Sequence, residues 1–177
     1  ALVTVNDFAA GTVNLWDGQT TPNTNDMYGT WGFSASDIFA VGNSGQVWRF
    51  DGSTWSTMIS ATTSFLWSVW GAAPNDVWAV GVSNTIVRYN GVSWSTVTSP
   101  AAALTTFYRV WGTAPNDVYA VGHDGTTGVI LHYDGSSWTQ ATLGTSAFYG
   151  VWGTASDNVF VSGQAGTVRR FNGTTWS

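Results

Sequence analysis

The 177-residue chain is 44% hydrophobic and 15% aromatic but only 8% charged, and this much aromatic surface in a chain of this length excludes disorder and supports one domain with its own core. A net charge of −5 argues against nucleic acid and anionic membranes, which need clustered cations; the five cations are Arg49, Arg88, Arg109, Arg169 and Arg170. The lack of cysteine rules out disulfides and Cys-ligated zinc, and no apolar run approaches the roughly 18 residues of a spanning helix, so neither a cofactor nor membrane insertion is expected.

Residues 1–21 read as a damaged copy of a unit repeated through the rest of the chain. Leu2-Val3-Thr4-Val5 and the run from Gly11 to Asp17-Gly18 look like a strand pair, but Thr21 stands where later copies carry tryptophan. Four clear copies follow, marked by Trp31-Gly32, Trp70-Gly71, Trp111-Gly112 and Trp152-Gly153 at spacings of 39, 41 and 41 residues. Each copy holds four β-branched or aromatic runs closed by Gly, Asn or Asp, as strands are. Strand A ends in Trp-Gly; strand B is DIFAVG, DVWAVG, DVYAVG or NVFVSG; strand C ends at a two-residue Asp-Gly or Asn-Gly turn; strand D opens at Trp55, Trp94, Trp138 or Trp176. No apolar period of 3.6 is long enough for a helix.

A period near 40 built from such runs predicts an all-β propeller of four-stranded antiparallel blades. Only the link from D to the next A is long and variable, so A is innermost and D outermost. The repeats fall at approximately 1–26, 27–65, 66–106, 107–147 and 148–177 within one domain, giving five blades with the first incomplete. The tryptophans are expected to form layers between blades. Small residues two before the Trp (Gly29, Ser68 and Gly150, with Arg109 the exception) fit inner strands that converge on a narrow axis. The first repeat has no sequence for strand A, and its slot is expected to be filled by residues beyond Ser177 or by a second copy through self-association.

The string WGxAPNDVxAVGxxGxxxRYDGSSW resembles the repeats of secreted bacterial β-propellers. The turns Asp51-Gly-Ser-Thr-Trp55 and Asp134-Gly-Ser-Ser-Trp138 are similar to the end of the Asp-box hairpin of sialidase-type propellers, although Arg49 or His132 stands where that hairpin has Ser or Thr. In that family the hairpin is a peripheral structural turn, so no catalytic role is implied. Blade size and number also resemble five-bladed lectins of the tachylectin-2 type. These resemblances imply a secreted protein.

Seven of the ten aspartates occupy repeat positions, in C–D turns or at the start of strand B, where turn geometry explains them; Asp7, Asp26 and Asp124 do not. No carboxylate pair stands out for glycoside hydrolysis, so the chain is not expected to be an enzyme. Arg49, Arg88, His132 and Arg170 share one strand C position, where they would cover apolar surface or line a groove between blades. His123 and Asp124 lie in a lengthened loop whose spacing fits no metal motif. Strand alternation gathers the B–C loops and D–A crossovers on one face. That face carries the rings of Tyr28, Trp67, Tyr108 and Tyr149 beside the polar side chains of Asn43, Asn84, His123 and Gln164. Rings next to uncharged amides suit sugars, so these eight residues are the candidate ligand contacts, with neutral or amino-sugar glycans as the expected partner. The alternative is a structural or protein-interaction module of a larger surface protein.

Overall fold

Seventeen strands and two short 3-10 turns make up the computed structural model of the protein, which describes residues 4–6, 12–14 and 18–177. The second repeat forms the sheet β3 (Met27–Ser34), β4 (Asp37–Gly42), β5 (Val47–Phe50) and β6 (Trp55–Met58). The third forms β7 (Leu66–Ala73), β8 (Asp76–Gly81), β9 (Ile86–Tyr89) and β10 (Trp94–Thr96), and the fourth β11 (Thr106–Ala114), β12 (Asp117–His123), β13 (Gly128–Tyr133) and β14 (Trp138–Thr142). The fifth has β15 (Phe148–Ala155), β16 (Asn158–Gly163) and β17 (Val168–Phe171), with one bridge from Phe171 to Trp176 marking its fourth strand. All pairs are antiparallel, in chain order from the inside out, and the inner strands β3, β7, β11 and β15 lie side by side. This is a β-propeller, and the strand order is the one the connection lengths imply.

In the first repeat β1 (Thr4–Asn6) pairs with β2 (Thr12–Asn14), Thr4 opposite Asn14 and Val5 opposite Val13. Aligned on the repeat, these match Ala40 opposite Trp48 and Val41 opposite Val47. The remaining positions assigned to that repeat, Leu2, Val3, Gly11 and Leu15–Asp17, lie outside the described residues, as does Asp7.

The core is divided into three apolar layers, each between two neighbouring blades. Phe39, Val41 and Val47 meet Val77, Ala79, Tyr89 and Trp94; Trp70, Trp78 and Ile86 meet Val110, Val118, Leu131 and Trp138; Tyr119 and Ile130 meet Val151, Val159 and Val161. Each buried aromatic removes roughly 150–250 Å² from water. The Trp-Gly signature is a packing device between blades. A Cβ on Gly112 would come within 2.8 Å of the Trp70 indole, and one on Gly153 within 3.0 Å of the Trp111 indole, so the tryptophan of one blade lies over the glycine of the next.

One local expectation needs correction. The C–D connection is a four-residue loop, since Phe50 pairs with Trp55 and Asp51 N–H donates to Thr54 O. The Asp51 carboxylate accepts from the backbone N–H groups of Ser53 and Thr54, which holds the loop together beside that backbone bond. Only the glycine takes positive φ in these loops (+98° at Gly52).

Candidate functional site

Every inner strand begins with the same irregularity. Register shifts fall between Met27 and Gly29, Leu66 and Ser68, Phe107 and Arg109, and Phe148 and Gly150, which leaves Tyr28, Trp67, Tyr108 and Tyr149 as the extra residue of a β-bulge. A bulge re-aims its side chain and exempts it from the pleat. The residue before the bulge is fully buried in three blades (Leu66, Phe107 and Phe148) and half-buried in the second repeat (Met27), while Tyr28 and Tyr149 are exposed and Trp67 and Tyr108 half-buried. The rings form one row around the axis: Tyr28 to Trp67 4.6 Å between centroids, Trp67 to Tyr108 6.4 Å, and Tyr108 to Tyr149 5.1 Å. Behind the row, mid-strand residues including Thr30, Ser68, Trp70, Arg109 and Trp152 line an axial cavity of about 260 Å³.

The four polar candidates sit in the B–C loops, Asn84 and His123 hydrogen-bonded through their side chains and Asn43 and Gln164 through their backbone. Asn84 adopts φ +55°, the left-handed conformation that Gly45 and Gly166 take at the equivalent position. Its amide donates to Ala101 O and accepts from Ser99 Oγ, pinning the crossover to the fourth blade. Asn43 and Gln164 each open a short turn, and their backbone N–H groups donate to Asp26 O and Ala147 O. His123 Nδ1 accepts from Gly125 N–H. Among the described residues, none of these four side chains hydrogen-bonds a ring of the row. The structure therefore brings the aromatics together in one place; of the amides, Asn84 is tied to the crossover through its side chain, whereas the Asn43 Oδ1 is buried without a hydrogen-bond partner.

The side chains Arg49, Arg88, His132 and Arg170 of strand C are anchored by the residue that opens strand B. Arg49 Nε donates to Asp37 Oδ1 (2.7 Å), Arg88 Nε to Asp76 Oδ1 (2.6 Å) and Arg170 Nε to Asn158 Oδ1 (2.8 Å), and His132 Nε2 lies 2.7 Å from Asp117 Oδ1. Each of these side chains also stacks on the strand B ring beside it, Arg88 on Trp78 at 4.5 Å and His132 on Tyr119 at 4.4 Å. Pairing with Asp37 and Asp76 raises the Arg49 and Arg88 pKa values further. Asp37, Asp76 and Asp117 are thus partners in cross-strand pairs as well as turn residues. Sequence reasoning missed this, although the substitutions Asp–Arg, Asp–Arg, Asp–His and Asn–Arg along the repeats carry the signal. Arg88 joins Trp78, Tyr133, Trp138, Ser136 and Ser137 in a groove of about 490 Å³ between the third and fourth blades.

Asp124, which seemed outside the repeat pattern, forms a turn of the C–D kind: its carboxylate accepts from the backbone N–H groups of Thr126 and Thr127 and from both hydroxyls, which depresses its pKa. Among the described residues no group of three or more His, Asp or Glu is placed to hold a metal. Nor is any helix long and apolar enough to cross a membrane.

No protein-family model and no curated protein matches the chain. Solved structures do. YCF48 bound to D1 peptide superposes with a TM-score of 0.59 at 12% identity, over 93% of this chain and 85% of that one. The computationally designed Ika4 protein gives 0.68 at 15% identity, over 88% of this chain and 99% of that one. The extracellular domain of a hybrid two-component-system protein from B. thetaiotaomicron gives 0.69 at 12% identity, over 94% of this chain and 24% of that one. At such identities the likeness shows the fold alone, and that fold is the propeller.

Proposed function

We propose that this protein is a non-catalytic binding module that takes an extended polypeptide segment across the aromatic row on its loop face. The observation that carries the reading is the arrangement of Tyr28, Trp67, Tyr108 and Tyr149 as one contiguous row, where a repeated sugar site would pair each ring with an amide in its own blade. A row of rings around the inner strands suits side chains spaced along a single chain, with exposed backbone hydrogen-bonding to neighbouring loop amides. YCF48, which shares the fold, is a structure with a bound peptide, and this supports the same use here. A secreted or surface setting agrees with the low charge of the chain and with the extracellular neighbour.

Glycan binding is the second reading. It is favoured by the groove between the third and fourth blades, where Trp78 and Tyr133 supply rings and Ser136 and Ser137 hydroxyls. Parallel peptide and glycan arrays, run with the wild type and Trp67→Ala, separate the two. The peptide reading expects hits on the peptide array that Trp67→Ala weakens about tenfold or more, in keeping with a buried aromatic anchor. Glycan hits unaffected by Trp67→Ala, with a blank peptide array, overturn it.

A further inference from the structure

The third repeat fills with a side chain a space that the second repeat leaves open. Asn84 and Gly45 hold the same place in the B–C loop, both in the left-handed conformation, at φ +55° and +68°. Ser99 and Ser60, five residues past Trp94 and Trp55, hold the same place in the crossover that follows, and Ala101 and Thr62 come two residues later. In the third repeat these crossover groups are joined by the Asn84 amide: Ser99 Oγ donates to Oδ1 at 2.6 Å, and Nδ2 donates to Ala101 O at 2.8 Å.

Gly45 brings no amide, and in the second repeat the two crossover groups bond each other, Ser60 Oγ donating to Thr62 O at 3.0 Å. Ser60 is buried, at 5% exposure. The crossover leans onto the glycine, so that a Cβ on Gly45 would collide with Thr62 O and no side chain at that position has room to bridge the pair. Beside the pair is a hollow of about 590 Å³, walled by residues 44–46 of the loop and 58–63 of the crossover. Its lip carries Ile59, an apolar side chain at 92% exposure. Loop and crossover both belong to the face that carries the aromatic row.

We propose that this hollow takes the side-chain amide of an asparagine carried by a bound polypeptide, its oxygen on Ser60 Oγ and its N–H on Thr62 O, as Asn84 is held from within the chain. That the amide arrives on a polypeptide rests on the polypeptide reading of the loop face; the selection of a primary amide does not. A change of Ser60 rotamer frees both groups, and one bond inside the crossover is exchanged for two to the ligand. The two groups are 3.0 Å apart, so one side of the ligand must serve both. A primary amide has an N–H on the same side as its oxygen, whereas a backbone or acetamido amide, being trans, points its N–H the other way. An aspartate would set a carboxylate oxygen against Thr62 O, two acceptors with no proton between them.

The test is an NMR titration of the full chain with acetyl-Asn-methylamide, its Asp and Leu counterparts, and N-acetylglucosamine. The expected result is that the Asn compound shifts the backbone N–H signals of Gly45, Ser60 and Thr62 and binds about tenfold more tightly than the other three, the worth of two ordinary hydrogen bonds. Ser60→Ala is expected to keep the spectrum of a folded protein and to lose that preference. Asn84→Gly, which suits φ +55°, is expected to melt lower and to recover on addition of the Asn compound but not of the Asp one. Equal binding of the four compounds, a preference that survives Ser60→Ala, no recovery of Asn84→Gly, or shifts confined to the aromatic row each overturn the site. Tighter binding of N-acetylglucosamine overturns the polypeptide occupant. Asn-selective shifts at Ser60 together with a blank peptide array uphold the amide site and overturn the polypeptide reading.

Discussion

Ala72 occupies a position where the fourth and fifth repeats carry threonine, and the difference leaves a carboxylate oxygen without a partner. Thr113 donates its hydroxyl to Asp117 Oδ2, and Thr154 Oγ1 accepts from Asn158 Nδ2 at 2.6 Å. In the third repeat Asp76 Oδ1 receives Arg88, but Oδ2 is buried and has no hydrogen bond. Replacing Ala72 by Thr places a donor where its equivalents already sit, on a strand that favours β-branched residues. A hydrogen bond to a charged group contributes about 1.5–3 kcal/mol, from which roughly 1 kcal/mol is lost in fixing the hydroxyl and in partial exposure. The net expectation for Ala72→Thr is about 1 kcal/mol of added stability, or a Tm rise of roughly 2–4 °C for a domain of this size. Urea unfolding followed by tryptophan fluorescence measures it, with Ala72→Val as the control of equal shape and no hydroxyl. The converse change, Thr113→Val, is expected to destabilise by a similar amount. If Ala72→Thr is no more stable than Ala72→Val, the oxygen is satisfied in some other way and the reasoning fails.

Trp70 and Trp152 are repeat equivalents at 5% and 59% exposure, so Trp70→Ala is expected to cost about 3–5 kcal/mol and Trp152→Ala less than about 1 kcal/mol in the same denaturant assay. Gly112→Ala places a Cβ 2.5 Å from Asp117 O and 2.8 Å from Trp70, which is expected to destabilise by about 1–3 kcal/mol, while Gly32→Ala, whose nearest neighbour is Ile38 Cγ1 at 3.2 Å, costs less; thermal melts compare them. Asp51 is held at about 2 by the N–H groups of Thr54 and Ser53, and Asp134 at about 2 by those of Ser137 and Ser136. Because the folded values are depressed, their contribution is complete above about pH 4 and is lost as pH falls toward 2. Urea midpoints at pH 5, 3 and 2 should therefore fall less steeply in Asp51→Asn, which imitates the native Asn90 turn.

The repeat, the strand order and the inter-blade role of the tryptophans were legible because they depend on spacing and residue size, which a sequence displays directly. The aromatic row was half legible: Tyr28, Trp67, Tyr108 and Tyr149 stood out by position, but their alignment depends on bulges, and a bulge is a property of two strands in register. The structural work of Asn84 was not legible for a different reason. Asn84 is where it is because asparagine tolerates φ +55° and reaches a crossover carbonyl, and neither property distinguishes it in sequence from a ligand contact. The Asp–Arg pairs required knowing that residues 12 apart become diagonal neighbours across a hairpin. The length of the C–D loop was misread because an Asp-Gly pair alone does not say whether the aspartate side chain will hold the next two amides.

The bulge at the head of each inner strand divides the chain's sequence freedom into two kinds. Residues such as Phe107 and Phe148 are locked by their neighbours on both sides, and any change there propagates into the layers between blades. The bulge residue faces no partner across the ladder, so its identity can be altered blade by blade with little effect on folding. Four such positions, occupied here by three tyrosines and a tryptophan, amount to a short alphabet written around the axis. A library randomised at 28, 67, 108 and 149 should yield mostly folded proteins with differing partners, so the scaffold separates what it recognises from what keeps it together.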